Sequence, residues 1–115
     1  FGNKKIVTKD GKFDSIAESR RWGELKTLAM VGKIWNLKRQ EAYKLSINNV
    51  PICKYIVDFE YAIGQNVYVE DVKGYFTAVS KLKTKMFRAC YPRTTLHIID
   101  KKVAPHLFRS SKKRR

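Results

Sequence analysis

Two β-rich runs joined by a tight turn constrain this chain more than any other feature. Residues 52–61 (ICKYIVDFEY) and 67–73 (VYVEDVK) are dense in β-branched and aromatic side chains, and Gly64-Gln65-Asn66 between them reads as a hairpin connection. Alternation along the second run puts Asp71 and Lys73 on one face, roughly 6.5 to 7 Å apart, while Val72 points the other way. Asp58 interrupts the first run, which otherwise alternates into a buried aromatic face. Two acids brought together by neighbouring strands can hold a divalent cation, and a lysine beside them can act on the water or phosphate that the cation binds. Metal-assisted phosphodiester cleavage is the chemistry this pattern suggests.

The remaining elements follow from capping and periodicity. Asp14-Ser15 followed by Glu18 predicts a capping box opening a helix that runs to about Val31 and stops at Gly32. Residues 34–45 read as extended and Asn48-Asn49-Val50-Pro51 as a turn. Residues 77–90 have helical periodicity through Val79, Leu82, Met86 and Ala89, Pro92 closes that helix, and 94–99 is a last strand. The order is α-β-β-β-α-β: an α/β fold with a central sheet flanked by helices. The expected organisation is a basic, mobile N-terminal arm (1–14), a core (15–100) and a basic C-terminal tail (101–115).

Charge narrows the partner. Lys and Arg number 25 against 10 Asp and Glu, a net +15 at pH 7. Setting aside the seven basic residues and one acid that follow Ile99 still leaves 18 basic against 9 acidic, so the folded body is itself basic. A polyanion is the expected partner, because each neutralised phosphate releases condensed counterions. No stretch approaches the roughly 20 apolar residues of a spanning helix, and no signal peptide is evident, so a soluble, membrane-free protein is expected. Cys53 and Cys90 have no CxxC or Cys/His ligand spacing and read as buried reduced thiols; His97 and His106 fit no HNH or HExxH pattern. Catalysis must then rest on carboxylates and lysine.

Glu18 shares a helical stripe with Trp22, Leu25 and Ala29, which aims its carboxylate at the sheet. A purely capping role is the competing explanation. A solvated strand position is the alternative for Asp58. Glu60 shares the face of Asp58 two residues on. Glu70 precedes Asp71 and points to the opposite face unless a bulge exchanges the two. Lys81, Lys83, Lys85 and Arg88 would line a phosphate path on the second helix, and Lys112, Lys113, Arg114 and Arg115 could track a backbone, or simply form a solvated end. Tyr75 and Phe76 could stack on an unpaired base, although core packing is the expected role.

Glu on a capped helix, Asp in a strand, a hairpin, then Asp71-Val72-Lys73 followed by glycine and a helix together resemble the PD-(D/E)xK nuclease superfamily, with its restriction-endonuclease-like fold. The resemblance covers roughly residues 15–99. The spacing of Asp58 and Asp71 is similar to that of small archaeal Holliday-junction resolvases, and the wording of FDSIAESRRWGELKTLAMVGKIWNL and YIVDFEYAIGQNVYVEDVKGYFTAVSKLKTKMF looks like a family of small phage-encoded members. Val57 stands where the motif has proline, and Asp71 where glutamate is common. The resemblance implies catalytic Glu18, Asp58, Asp71 and Lys73. Asp58, Asp71 and the Val72 carbonyl would hold Mg²⁺ (Mn²⁺ can substitute), with Glu18 holding a second ion or a bound water. It further implies a homodimeric, cytoplasmic endonuclease acting on branched DNA. A non-catalytic nucleic-acid binder and an exonuclease of the same superfamily are the alternatives.

Overall fold

Asn48 and Asn49, both at positive φ (50° and 67°), close a two-residue hairpin in which Ile47 faces Val50. Asparagine tolerates this left-handed backbone, whose twist matches that of the flanking strands. The computed structural model describes residues 5–101. The elements in chain order are β1 (Ile6–Thr8), β2 (Gly11–Phe13), α1 (Ile16–Met30), β3 (Trp35–Ile47), β4 (Val50–Ile63), β5 (Asn66–Lys73), α2 (Ala78–Cys90) and β6 (Thr95–Asp100). From α1 onward the order is the predicted α-β-β-β-α-β. Strands β3-β4-β5-β6 form one mixed sheet, antiparallel except for the parallel pair β5–β6.

One expectation fails at the N-terminus. Residues 6–13 form the antiparallel hairpin β1–β2 where a mobile arm was predicted. Buried Phe13 anchors it, with the Arg39 guanidinium 3.8 Å from its ring centroid and donating to the Lys12 carbonyl at 2.6 Å.

Helix α1 begins and ends as its sequence dictates. Ser15 caps it by accepting from the Glu18 N–H at 3.1 Å. At the other end Gly32 (φ 82°) allows Lys33 N–H to reach the Leu28 carbonyl and Gly32 N–H the Ala29 carbonyl, a Schellman closure. Its apolar stripe of Leu25, Trp22, Leu28 and Ala29 packs with Ile34, Leu37, Phe59, Tyr61, Tyr68 and Val72.

Helix α2 departs from the predicted stripe. Thr77 caps it as expected, but Val79 and Leu82 lie exposed, while Thr84 and Phe87 are buried. Phe87 decides the rotation: it packs with Leu45, Tyr55, Val57, Val69 and Leu96 and makes ring contacts with Tyr43, Tyr55 and Tyr91. Phe87 is the largest apolar side chain on the helix, and its ring finds three aromatic partners in the core.

The two cores lie on opposite faces of the sheet, because successive β5 residues alternate between them: Tyr68 and Val72 with the α1 cluster, Val69 with the α2 cluster. Within β4, however, Phe59 and Tyr61 serve α1 whereas Tyr55 and Val57 serve α2, although all four are odd-numbered. Strand β3 behaves likewise, Leu37 belonging to the first core and Tyr43 and Leu45 to the second. The changeover falls at Gln40 and Asp58, between the pairs Arg39↔Phe59 and Glu41↔Val57, and Gln40 has a positive φ of 55°.

Candidate functional site

The changeover is where the acidic residues gather. Paired β4–β5 register ends at Phe59↔Glu70, so beyond it the strands no longer exchange ladder bonds, and the Asp58 side chain substitutes by accepting from the Val72 N–H at 2.8 Å. Asp71 and Lys73 share a face as predicted, with Nζ 3.1 Å from Asp71 Oδ2. The Tyr55 hydroxyl donates to the same oxygen at 2.7 Å. Asp71 is 4 % exposed and Glu18 is 3 % exposed.

Glu18 both bonds the backbone at the helix start and reaches the sheet. Its Oε1 accepts from the Asp14 N–H at 3.0 Å at the helix start, while Oε2 lies 3.5 Å from Gln40 Nε2 and 3.7 Å from an Arg39 nitrogen. Gln40 Nε2 is also 3.5 Å from Asp58 Oδ1, so one carboxamide spans the two acids. These are long contacts, weaker than ordinary hydrogen bonds.

Electrostatics set this cluster apart. Burial raises the Asp58 carboxyl to about 8, helped by the nearby charges of Asp71 and Glu18 and opposed by the Val72 N–H. Burial also raises Glu18, with the Asp14 N–H pulling it down, Asp14 and Asp71 pushing it up, and Arg39 lowering it. Burial and the Asp71 charge lift Tyr55 far above the usual phenol range, so it remains a proton donor to Asp71. Acids that resist ionisation together form a site that favours a proton or a cation.

The alternative carboxylates are engaged elsewhere. Glu70, fully buried, turns to the opposite face, where Arg21 grips it with two bonds of 2.7 Å and the Tyr61 hydroxyl also donates to it. The strand is regular here, so the exchange with Asp71 that a bulge would have caused does not occur. Glu60 accepts from the Tyr43 hydroxyl and pairs with Lys38 at 3.3 Å.

Among the described residues no three His, Cys, Asp or Glu side chains gather closely enough to hold a metal ion. A cation here would have two carboxylates, Asp58 and Asp71, with the Val72 carbonyl and water completing the shell, a donor set that Mg²⁺ accepts. Asp58 and Asp71 also share a side-chain hydrogen bond, and Asp58 Oδ1 takes the long Gln40 contact. The donors present therefore fit such an ion in type and charge.

Lys81, Lys85 and Arg88 are exposed and Lys83 half-buried, with Arg88 donating to the Leu96 carbonyl at 3.2 Å. Lys112, Lys113, Arg114 and Arg115 lie outside the described residues. Tyr75, expected to pack in the core, is instead 80 % exposed, since it follows Gly74 beyond the end of β5. Cys53 and Cys90 are free and only half-buried, with Cys90 Sγ donating to the Ser46 carbonyl. No helix among the described residues is long and apolar enough to cross a membrane.

The model of the family described as "Protein of unknown function (DUF1064)" matches residues 1–105. The chain belongs to this family. The match takes in the hairpin, both helices, the whole sheet and every residue of the acidic cluster, so the DUF1064 unit and the fold described above coincide. No curated protein matches the chain.

Gln40, Arg39 and Tyr55 were missed by sequence reasoning. Tyr55 carried a signal, three residues before Asp58 in the same strand, but its alternation assigned it to the opposite face.

Proposed function

We propose that this protein is a metal-dependent endonuclease of the PD-(D/E)xK type that hydrolyses phosphodiester bonds in DNA, with a preference for branched structures. The observation that carries the reading is the meeting of Asp58, Asp71 and Lys73, with Glu18 beside them, at a break in the sheet where Asp58 is raised to about 8. The net charge of +15 suits a polyanionic substrate.

Each side chain has a task. The Val72 N–H fixes Asp58, and the Tyr55 hydroxyl and Lys73 fix Asp71, so both carboxylates are oriented before anything binds. When bound, Mg²⁺ supplies Lewis-acid stabilisation of phosphate charge and acidifies water. Lys73, half-buried, would release part of its hold on Asp71 to the substrate, placing its ammonium against the non-bridging oxygens as negative charge grows there. Glu18 Oε2 and Gln40 would orient the attacking water by hydrogen bonds.

With one such site in a small chain, paired cuts on a four-way junction would take a two-fold homodimer. A second reading, a non-catalytic nucleic-acid binder, rests on the basic charge alone. Incubation with labelled four-way junction, flap, single-stranded and plain duplex DNA, in Mg²⁺ and in EDTA, separates the two. The nuclease reading expects Mg²⁺-dependent cuts, strongest on the junction; binding without cuts in either buffer supports the binder.

A further inference from the structure

The switch of faces at Gln40 and Asp58 leaves part of the sheet without a helix over it. Beyond that point α2 covers the side bearing Tyr43, Leu45, Tyr55 and Val57, while α1 covers only the other half of the opposite side. The opposite side of the distal hairpin therefore stays open: Ala42, Lys44, Lys54, Ile52 and Ile56 are all exposed, Ile56 to 54 %. In the β3–β4 register Ala42 faces Ile56 and Lys44 faces Lys54.

Like charges directly across a ladder destabilise a sheet, since their Cβ atoms stand only about 5 Å apart. No carboxylate among the described residues forms an ion pair with either lysine. Their nearest charged strand neighbour, Glu41, projects to the α2 side with Tyr43. A repulsive, unneutralised pair on an open face is relieved by an anion bound between the two ammonium groups.

We propose that Lys44 and Lys54 form a phosphate clamp that grips a nucleic-acid backbone on the open face of the distal hairpin, the face turned away from Tyr55 and Val57, with Ala42 and Ile56 as an apolar floor for the neighbouring sugars. The proposal rests on the nuclease reading and adds to it a second contact with the substrate backbone. A second copy of this chain is a poor occupant, because a two-fold contact through this face would bring four lysines together in a desolvated seam.

The test is binding of a fluorescein-labelled 30-bp duplex and a four-way junction in EDTA, across a salt series, by wild type and Lys44→Ala/Lys54→Ala. A control, Lys9→Ala/Lys33→Ala, removes the same charge from exposed positions elsewhere. Loss of one shared phosphate contact reduces the slope of log affinity against log salt by about 0.9, which is about an eightfold loss of affinity in 0.1 M salt. The clamp variant should show that loss with melting temperature unchanged or raised, and the control should show much less. Equal losses in both variants would overturn the clamp while leaving the nuclease reading intact, as would undiminished affinity in the clamp variant. Wild type that neither binds nor cuts DNA would defeat both.

Discussion

Adjacent residues Glu70 and Asp71 should respond to neutralisation in opposite ways. Glu70 is fully buried and gripped by Arg21, whose side chain is itself only 9 % exposed. Glu70→Gln keeps the shape and one acceptor for Tyr61 but strands a buried guanidinium against a neutral amide. Breaking one side of a buried pair costs about 3 to 5 kcal/mol. Arg21 retains Glu24 at 3.0 Å, which places the expected loss at the lower end, about 3 kcal/mol. Against a total stability of 5 to 15 kcal/mol that is severe, a fall in melting temperature of roughly 10 °C. Asp71→Asn removes a charge that raises both Asp58 and Glu18 while leaving an acceptor for Tyr55. Its melting temperature in EDTA at pH 7.5 should equal or exceed that of wild type, and its cleavage should be lost. Thermal melts monitored by circular dichroism, with cleavage of labelled junction DNA on the same preparations, read both outcomes. A stable, inactive Glu70→Gln beside a destabilised, active Asp71→Asn would refute the assignment of the two acids to opposite faces with opposite tasks.

Three further outcomes are expected. Because the Asp58 carboxyl is raised to about 8, the contribution of its protonated form is fully present below pH 4 and is lost as pH rises toward 8. Metal-free protein should therefore melt at higher temperature at pH 5.5 than at pH 8, and Mg²⁺ should stabilise it more at pH 8; Asp58→Asn should flatten both trends. Gln40→Gly relieves a left-handed backbone at a cost of order 1 kcal/mol to a non-glycine residue, so melting temperature should hold or rise while cleavage falls at least tenfold; unchanged cleavage would show that the carboxamide positions nothing. Tyr75→Ala should alter stability by less than about 0.5 kcal/mol, and should weaken capture of single-stranded DNA several-fold relative to duplex if the exposed ring stacks on bases.

The parts legible in the sequence were those governed by local chemistry. Ser15, Glu18 and Gly32 announced both ends of α1, the Asn48-Asn49 and Gly64-Gln65 turns fixed which strands are neighbours, and period-two alternation put Asp71 and Lys73 on one face. What stayed hidden depended on long-range packing. Counting back from the Ile47↔Val50 turn pairs Asp58 with Arg39; a register shift between Leu45 and Ser46 moves the partner to Gln40. Pro51, which cannot donate to the ladder, sits at that shift opposite Ser46, but the sequence alone reads it as part of the turn. The same applies to the change of faces at Asp58, without which alternation puts Tyr55 on the wrong side, and to α2, where one Phe87 outweighed the Val79 and Leu82 stripe. The β1–β2 hairpin escaped notice because each strand spans three residues and its anchor, Arg39 on Phe13, comes from a distant strand.

The central claim is that the paired acids make this protein a metal-dependent endonuclease. Supercoiled circular DNA tests it most directly, because a circle offers no end to an exonuclease and binding alone leaves it intact. Wild type with Mg²⁺ should convert it to nicked and linear forms, EDTA should stop the conversion, and Asp71→Ala and Lys73→Ala, each shown to be folded, should slow it by two orders of magnitude or more. Circles that stay supercoiled with wild type in Mg²⁺, or that are cut equally well by Asp71→Ala, would contradict it.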